Sequence, residues 1–424
     1  MGIDLLSIII FVFCIALFIW DKLPMATTAI LGCALMVICG VCNFSTAFGQ
    51  FASSTVILTI GVMVIGAAIS ETGLAAAIGK WIVGISKGSE TKLIIGTYIV
   101  SALMSAFLTN SAVLAIFIPI IMGLSSADND MDAKNLIMPI AFGCVIGGSA
   151  TLVGSTQQMT AQGLLEESGA RLFKTFDFSL VGGILLILGL IYVLTIGRKL
   201  GQRIWGSRNE VSEYEENAKG KAPETNKTKM WIIAVIFAFT VVFYITEWIP
   251  LAVTSTTAAL LCIITGCITQ KKAITSVNWN IVGRLAGCLG LAKALDAAGG
   301  TQLIADTFQK LVGNSLSPFL LFAILVFAVQ FFGEFMSNST TILIVLPIVM
   351  AIAPQLGLNP YTFALGITLA SGMTLSCPLA SSTLGMSMTV GYHFNDYFRY
   401  SIWFDLLAYI TVIVSVPLIY GLTI

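Results

Sequence analysis

Residues 107–111 read FLTNS and residues 335–339 read FMSNS, and these two short segments decide the fold. Each one interrupts a long apolar stretch, at about 92–124 and at about 316–353, with an asparagine between two hydroxyl side chains. When the two segments are aligned, the match extends over 16 positions, of which 7 are identical. The chain therefore contains two related copies of an apolar stretch with a polar break near its centre.

Shorter matches upstream keep almost the same spacing. Residues 23–24 align with 249–250 at an offset of 226, and residues 72–73 align with 299–300 at an offset of 227. Several windows that recur in one order predict a repeat that runs through nearly the whole chain. We divide the sequence into a first repeat, a polar linker and a second repeat, at 1–197, 198–229 and 230–424.

The composition places this repeat in a membrane. Of the 424 residues, 57% are hydrophobic and 10% are charged, and the mean hydropathy is +0.96. Soluble domains carry about 25% charged residues, so lipid must solvate much of this chain. The 21 basic and 21 acidic residues give a net charge of zero, and no basic face suggests a nucleic-acid partner.

Ten apolar runs are long enough to cross a bilayer, which needs about 20 residues. They lie at 4–20, 24–42, 55–70, 135–153 and 180–197 in the first half and at 230–248, 250–268, 280–296, 361–380 and 401–423 in the second. Two amphipathic segments, 74–88 and 300–313, are expected at the interface. Five crossings per repeat turn the second copy upside down relative to the first, and inverted repeats are typical of secondary transporters.

Basic residues set the expected orientation in a cell membrane. With the linker 198–229 in the cytoplasm, 16 basic residues fall on the cytoplasmic side and 3 outside, which satisfies the positive-inside rule. Both termini are then external.

The two broken stretches are predicted to be re-entrant hairpins. The arm that follows each break is about 14 residues long, or roughly 20 Å, too short to cross alone. Backbone groups at a hairpin tip in mid-membrane need polar partners, so both tips should line one cavity. The alternative is a simple helix break with an N-cap at Asn110 or Asn338.

Each tip offers two kinds of ligand. The second arm begins at the tip, so its free N–H groups suit an anion, and the free carbonyls that end the first arm suit a cation. A small-residue run also interrupts one span in each half, at 147–156 within 135–157 and at 376–383 within 361–384. We expect these runs to be unwound beside the tips, although close helix packing is an alternative.

With these motifs the chain resembles the divalent anion:Na⁺ symporter family, the sodium-coupled dicarboxylate, citrate and sulfate carriers of the ion transporter superfamily. That family has a Ser-Asn-Thr motif at each tip, and its second hairpin is often entered through Glu-Phe, as at residues 334–335. Residues 277–280, VNWN, and the glycine-rich run 147–154 are also similar. The resemblance covers about residues 20–420.

The resemblance implies two Na⁺ sites and a substrate site between the tips. The implied ligands are Ser105, Thr109, Asn110, Gly148 and Thr151 for the first ion, and Gly333, Ser337, Asn338 and Ser376 for the second. The implied substrate residues are Asn110, Ser111, Asn338, Ser339, Thr340, Pro378 and Thr383. It further implies a homodimer in which a hairpin-bearing transport subdomain moves like an elevator against a scaffold. No organic cofactor is expected.

The sequence departs from the family after both unwound runs. The family continues with Gly-Thr-Pro-Pro-Asn, whereas residues 154–158 read GSTQQ and residues 382–386 read STLGM, which leaves the identity of the anion open. Because no Arg or Lys lies at either tip or unwound run, we expect Na⁺ to bind first and to supply the charge that a small anion needs.

Three other functions remain as alternatives. They are a Na⁺-independent anion exchanger, a Na⁺/H⁺ antiporter and an arsenite-type carrier of the same superfamily. Proton antiport would require titratable carboxyl groups at the tips, where the sequence shows only Glu334. An enzyme is not expected, because the spans hold no Ser/His or Asp/Asp pair and no paired metal motif.

Overall fold

The computed structural model describes residues 2–20, 23–86, 89–127, 132–205, 227–312, 317–378 and 381–423. These residues form helices and short connections, with no strand among them. Most of the predicted linker, residues 206–226, lies outside the described residues, as do Leu379 and Ala380 of the second unwound run. The prediction of an all-helical chain is thus confirmed for the part that the structure covers.

Eleven α-helices of the described chain come before residue 206, and the last of them lies within the predicted linker. They are α1 Ile3–Trp20, α2 Met25–Ile38, α3 Phe44–Phe48, α4 Ser54–Glu71, α5 Leu74–Ser86, α6 Glu90–Ser105, α7 Asn110–Ala127, α8 Ala133–Gly148, α9 Thr156–Glu167, α10 Ser179–Tyr192 and α11 Arg198–Ile204. A 3₁₀ turn, Gly49–Ala52, leads into α4, and a π-helical turn, Val193–Gly197, joins α10 to α11.

Ten α-helices of the described chain come after residue 226. They are α12 Lys227–Thr246, α13 Leu251–Ile264, α14 Gln270–Ser276, α15 Trp279–Ala297, α16 Gly300–Val312, α17 Pro318–Gly333, α18 Asn338–Gln355, α19 Pro360–Gly372, α20 Ser382–Ser387 and α21 Phe394–Tyr420. Helix α20 continues as a 3₁₀ turn, Met388–Val390.

The helix bounds recur along the chain. Helices α5 and α16 have 13 residues each and start 226 residues apart. Helices α6 and α17 have 16 residues each, and α7 and α18 have 18 each, both pairs at an offset of 228. The local signals recur too: Pro24 and Pro250 stand at the N-caps of α2 and α13, and Ser53 and Asn278 cap α4 and α15.

Five helical segments of the described chain are long and apolar enough to cross a membrane. They are Phe44–Glu71, Ser179–Ile204, Lys227–Thr246, Asn338–Gln355 and Phe394–Tyr420. Helices α2 and α13, of 14 residues each, are shorter than the predicted spans 24–42 and 250–268. Each stops at a positive-φ glycine, Gly40 or Gly266, which ends the helix before the apolar run ends.

The length argument for re-entrant hairpins is wrong. The second arms α7 and α18 have 18 residues, or roughly 27 Å of helix, and so nearly match the hydrocarbon thickness. The estimate of 14 residues ended the arms at about 124 and 353, whereas α7 runs on to Ala127 and α18 to Gln355. Re-entrance therefore rests on the broken backbone at the tips.

Two groups of helices meet around the breaks. Helix α15 packs on α2 and α3, and α4 packs on α13, which in turn packs on α12. Helices α6, α7 and α8 form one cluster, and α17, α18 and α19 form its counterpart. Helix α9 follows α8 in the chain and packs on α18 and α19, so it links the two clusters. Helices α4 and α15 both also contact α9, so they border the region where the two clusters meet.

Candidate substrate and ion site

A cavity of about 1060 Å³ lies between the two Asn-centred breaks. It is lined by α4 on one side and by the starts of α7, α9 and α18 on the other. Six of the seven predicted substrate residues line it, namely Asn110, Ser111, Asn338, Ser339, Pro378 and Thr383. Residues 228 positions apart in the sequence thus face one space, as the repeat predicted.

Thr340 is the predicted substrate residue that is not in the cavity wall. It is 1% exposed, and its Oγ1 lies 2.7 Å from Ser337 Oγ and 2.9 Å from Met25 Sδ. In this conformation Thr340 packs the second tip against α2.

The first tip is closed by the Asn110 side chain. Its carboxamide lies 2.6 Å from Ser105 Oγ and 3.3 Å from Ser155 Oγ. With the amide nitrogen turned towards Ser105, it also donates to the carbonyl oxygens of Gly154 and Cys144, each at 3.2 Å. Asn110 therefore ties the end of α6 to the unwound segment 149–155.

Glycines permit this close approach. A Cβ at Gly148 would lie 2.0 Å from Asn110 Oδ1, and a Cβ at Gly154 would lie 2.5 Å from Gly148 O and 2.6 Å from Ser105 O. Two carbonyl oxygens thus converge on a place where only glycine fits. Thr151 donates its hydroxyl to Ala106 O at the same tip. Oxygen ligands in such a cradle suit a hard cation.

The five predicted ligands of the first ion all lie at or beside the first tip, in three kinds of position. Asn110 lies against both Ser105 and Gly148, Thr151 contacts the adjacent backbone, and Thr109 lies in the cavity wall.

The second tip makes a different set of contacts. Ser337 caps α18 by accepting from Thr340 N at 3.4 Å, and Asn338 Oδ1 accepts from Thr374 Oγ1 at 3.0 Å. A Cβ on Gly333 would lie 2.9 Å from Thr374 Cγ2. Thr374, which the sequence analysis did not single out, therefore takes the place beside the second tip that Gly148 takes beside the first.

Ser376, the predicted ligand in this segment, lies against two carboxyl groups. Its Oγ donates to Asp405 Oδ2 and its N–H donates to Glu334 Oε1 at 3.4 Å. Asp405 is 5% exposed and also accepts from Leu375 N at 3.3 Å. Glu334 thus holds the unwound segment through the Ser376 backbone. Asp405 carries no motif that sequence reasoning could have found.

Arg284 is a basic residue at the second tip, which the sequence did not lead us to expect. It lies on α15, lines the cavity, and donates from Nη1 to Ser337 Oγ at 3.1 Å. The statement that no basic residue lies at a tip was therefore wrong, because only residues near the tips in the sequence were considered. Residues 277–280, VNWN, at the start of α15 resemble the family, but no pattern in this helix indicated a role for Arg284.

Comparisons with known proteins show which family the chain belongs to. The sequence matches the citrate transporter family, CitMHS, over residues 15–368 and again over residues 241–424. The chain belongs to the citrate transporter family. The resemblance to sodium-coupled dicarboxylate and citrate carriers is thus confirmed at the family level.

Relatives of this citrate transporter family member are transporters. It is 27% identical to an uncharacterised transporter of Synechocystis over 50% of this chain, which covers 34% of that protein. It is 24% identical to an uncharacterised transporter of Haemophilus influenzae, with 83% and 78% covered. It is 21% identical to the sodium-dependent dicarboxylate transporter SdcS of Staphylococcus aureus, with 81% and 71% covered. The chain covers about a third of the length of the Synechocystis relative.

Solved structures with the same fold are transporters as well. The YdaH transporter of Alcanivorax borkumensis superposes with a TM-score of 0.67 at 15% identity, covering 89% of this chain and 88% of that one. Neisseria gonorrhoeae MtrF superposes at 0.62 and 13% identity, covering 87% and 82%. Together these relatives confirm a transporter and not an enzyme.

Proposed function

We propose that this chain is a Na⁺-coupled secondary active transporter of a small di- or tricarboxylate or similar anion. The observation that carries the proposal is the single cavity into which both Asn-centred tips project. Helices α7, α9 and α18 all begin at its wall, so their free N–H groups favour a negative charge there. The guanidinium of Arg284 adds a full positive charge to the same wall.

Na⁺ coupling is supported by the ligands at the first tip. The Ser105 and Gly148 carbonyls, with the Asn110 side chain, form an oxygen-rich cradle beside the cavity. Ser337, Asn338 and Thr374 present further oxygens at the second tip. SdcS, a distant relative, is sodium-dependent. Because Arg284 also supplies charge, Na⁺ is not the sole source of compensation for the anion.

An elevator mechanism fits the packing. We assign α1–α4 and α12–α15 to a scaffold and the remaining helices, which carry both re-entrant hairpins and both unwound segments, to a transport subdomain. In the inverted-repeat arrangement the tips arrive from opposite leaflets, and the linker 198–229 lies in the cytoplasm with both termini external. Helix α12 exposes Trp231, Val235 and Phe239, and such an apolar face suits lipid or a second copy in a homodimer.

Transport by purified protein in liposomes tests the proposal. We expect uptake of radiolabelled citrate or succinate that requires an inward Na⁺ gradient and stops when choline replaces Na⁺. Uptake that persists in choline and requires unlabelled anion inside the vesicle would show an exchanger instead. No uptake or binding of any carboxylate in either buffer would reject the anion transporter itself.

A half-buried and a buried carboxyl group that lie side by side favour a second candidate, coupling to protons. Glu334 and Asp405 both contact Ser376 and interact directly with each other, and none of the salt bridges found among the described residues involves them. Carboxylates in contact repel each other unless a proton or a cation lies between them. For this candidate we expect an inward proton gradient to drive uptake without Na⁺, and Asp405→Asn to abolish that component.

A further inference from the structure

We infer that Arg284 binds a carboxylate of the substrate and that Ser337 takes the place of this carboxylate when the site is empty. This inference rests on the proposed function and adds a specificity-determining residue to it.

The position of Arg284 is fixed by close packing behind it. Helix α15 lies against α2, where a Cβ on Gly283 would meet Ala26 Cβ at 3.3 Å and a Cβ on Gly287 would meet Ala29 Cβ at 2.8 Å. These two glycines face α2, and the arginine between them lines the cavity. The scaffold thus presents one long basic side chain to the substrate space.

The guanidinium faces hydroxyl groups in place of a carboxylate. It donates hydrogen bonds to Ser337 Oγ, at 3.1 Å, and to Met25 Sδ, at 3.7 Å. The hydroxyl residues Thr59, Thr156 and Ser339 lie around it. An arginine stays charged in proteins and offers five N–H donors, so a neutral hydroxyl leaves most of its capacity unused.

Among the described residues that line the cavity, no acidic side chain is left to neutralise Arg284. Of the described residues that line the cavity, Glu71 and Arg284 alone are charged, and Glu71 pairs with Lys272. None of the salt bridges found among the described residues includes Arg284. A cation held inside a membrane protein without a countercharge is costly, and it marks a ligand pathway by default. The anion must therefore come from the cavity.

A carboxylate is the group that fits this arginine. Two parallel N–H donors of a guanidinium match the two oxygens of a carboxylate, and such charge-assisted pairs are about twice as strong as neutral hydrogen bonds. Because Ser337 caps α18 at the second tip, a carboxylate between Arg284 and this tip would link the scaffold to the transport subdomain. When substrate binds, Arg284 Nη1 donates to a carboxylate oxygen of the substrate in place of the Ser337 hydroxyl.

Binding measurements on the full chain in detergent test this inference. Citrate and succinate affinities are measured by calorimetry for the wild type, Arg284→Lys, Arg284→Gln and Ser337→Ala. We expect Arg284→Gln to bind either acid about 10- to 100-fold more weakly, and Arg284→Lys to fall between it and the wild type. Ser337→Ala removes the competing hydroxyl, so its affinity should not fall as far as that of Arg284→Gln.

Lys272→Gln is the matched control, since it removes a positive charge near the cavity that already pairs with Glu71. Its affinity should stay within about twofold of the wild type. Equal binding by Arg284→Gln and the wild type would overturn the inference and leave the proposed function intact. Failure of the wild type to bind any carboxylate would instead reject the proposed function. If Arg284→Gln does not fold, the affinity of Arg284→Lys decides, because it keeps the charge and loses the bidentate geometry.

Discussion

At Gly148 the first tip and the unwound segment approach so closely that a methyl group would collide with the Asn110 side chain. Asn110 is within reach of Ser105, Ser155, Gly154 and Cys144, so it is the residue that joins the two segments of the first half. The chemistry of the tip therefore depends on the absence of a side chain as much as on the asparagine.

Gly148→Ala should displace the first tip. The new Cβ would lie 2.0 Å from Asn110 Oδ1, so the cradle must widen, and overpacking of this kind costs about 1–3 kcal/mol. We expect a lower thermal unfolding midpoint and at least a tenfold loss of apparent Na⁺ affinity, measured by Na⁺-dependent thermal shift. Gly183→Ala, on α10 with open space around the position, is the control and should change neither quantity. An unaltered Na⁺ response in Gly148→Ala would remove Gly148 from the ion site.

At the scale of elements, the two halves differ in the connection between the tip and the unwound segment. Helix α9 begins 46 residues after Asn110, whereas α20 begins 44 residues after Asn338. The second half is shorter by two residues over this interval. This difference brings Thr374 to Asn338, and it leaves Ser376 next to Asp405.

Thr374→Val tests that register. The substitution keeps the shape of the side chain and removes the hydroxyl that donates to Asn338 Oδ1 at 3.0 Å. We expect a loss of stability of about 1 kcal/mol and a clear fall in apparent Na⁺ affinity, read from the Na⁺ dependence of uptake in liposomes. Thr368→Val is the control, because Thr368 donates to Ala364 O of its own helix. If both variants respond to Na⁺ alike, the second ion site does not include Thr374.

The sequence allowed the tips to be located, but not everything around them. Asn110 and Asn338 stand in apolar runs where few structures accommodate an asparagine, so local pattern sufficed. The contact of Thr374 with Asn338 depends on a two-residue change in spacing between the halves. Arg284 lies 53 residues before its partner Ser337, and Asp405 lies 29 residues after its partner Ser376. Contacts between residues so far apart produce no recognisable pattern in the sequence.

At the scale of the whole molecule, the two tips stand in different relations to the scaffold. The second tip is in contact with it, since Ser337 accepts from Arg284 and Thr340 Oγ1 lies 2.9 Å from Met25 Sδ. The first tip faces α4 across the cavity.

Crosslinking of Met25→Cys with Thr340→Cys tests the elevator movement. In a background without the native cysteines, the paired variant should bridge Hg²⁺ or a short bis-thiol reagent, because the native side chains are in contact. We expect the crosslink to stop uptake and a reducing thiol to restore it, since the transport subdomain can no longer leave the scaffold. Each single-cysteine variant serves as a control and should keep its uptake after the reagent. Full transport by the crosslinked pair would exclude a movement at this interface.

The shorter spacing in the second half has a consequence for how the protein can change. Two ion sites formed by strict copies of one segment would share their ligands and respond alike to any change in that segment. Here one proposed ion site is formed mainly by main-chain oxygens and glycine, and the other by hydroxyls with carboxyl groups behind them. Under the proposed function, the ion preference of the second half can therefore be altered through Thr374 or Asp405 while the ligands of the first half stay the same, so that the two halves are separately adjustable.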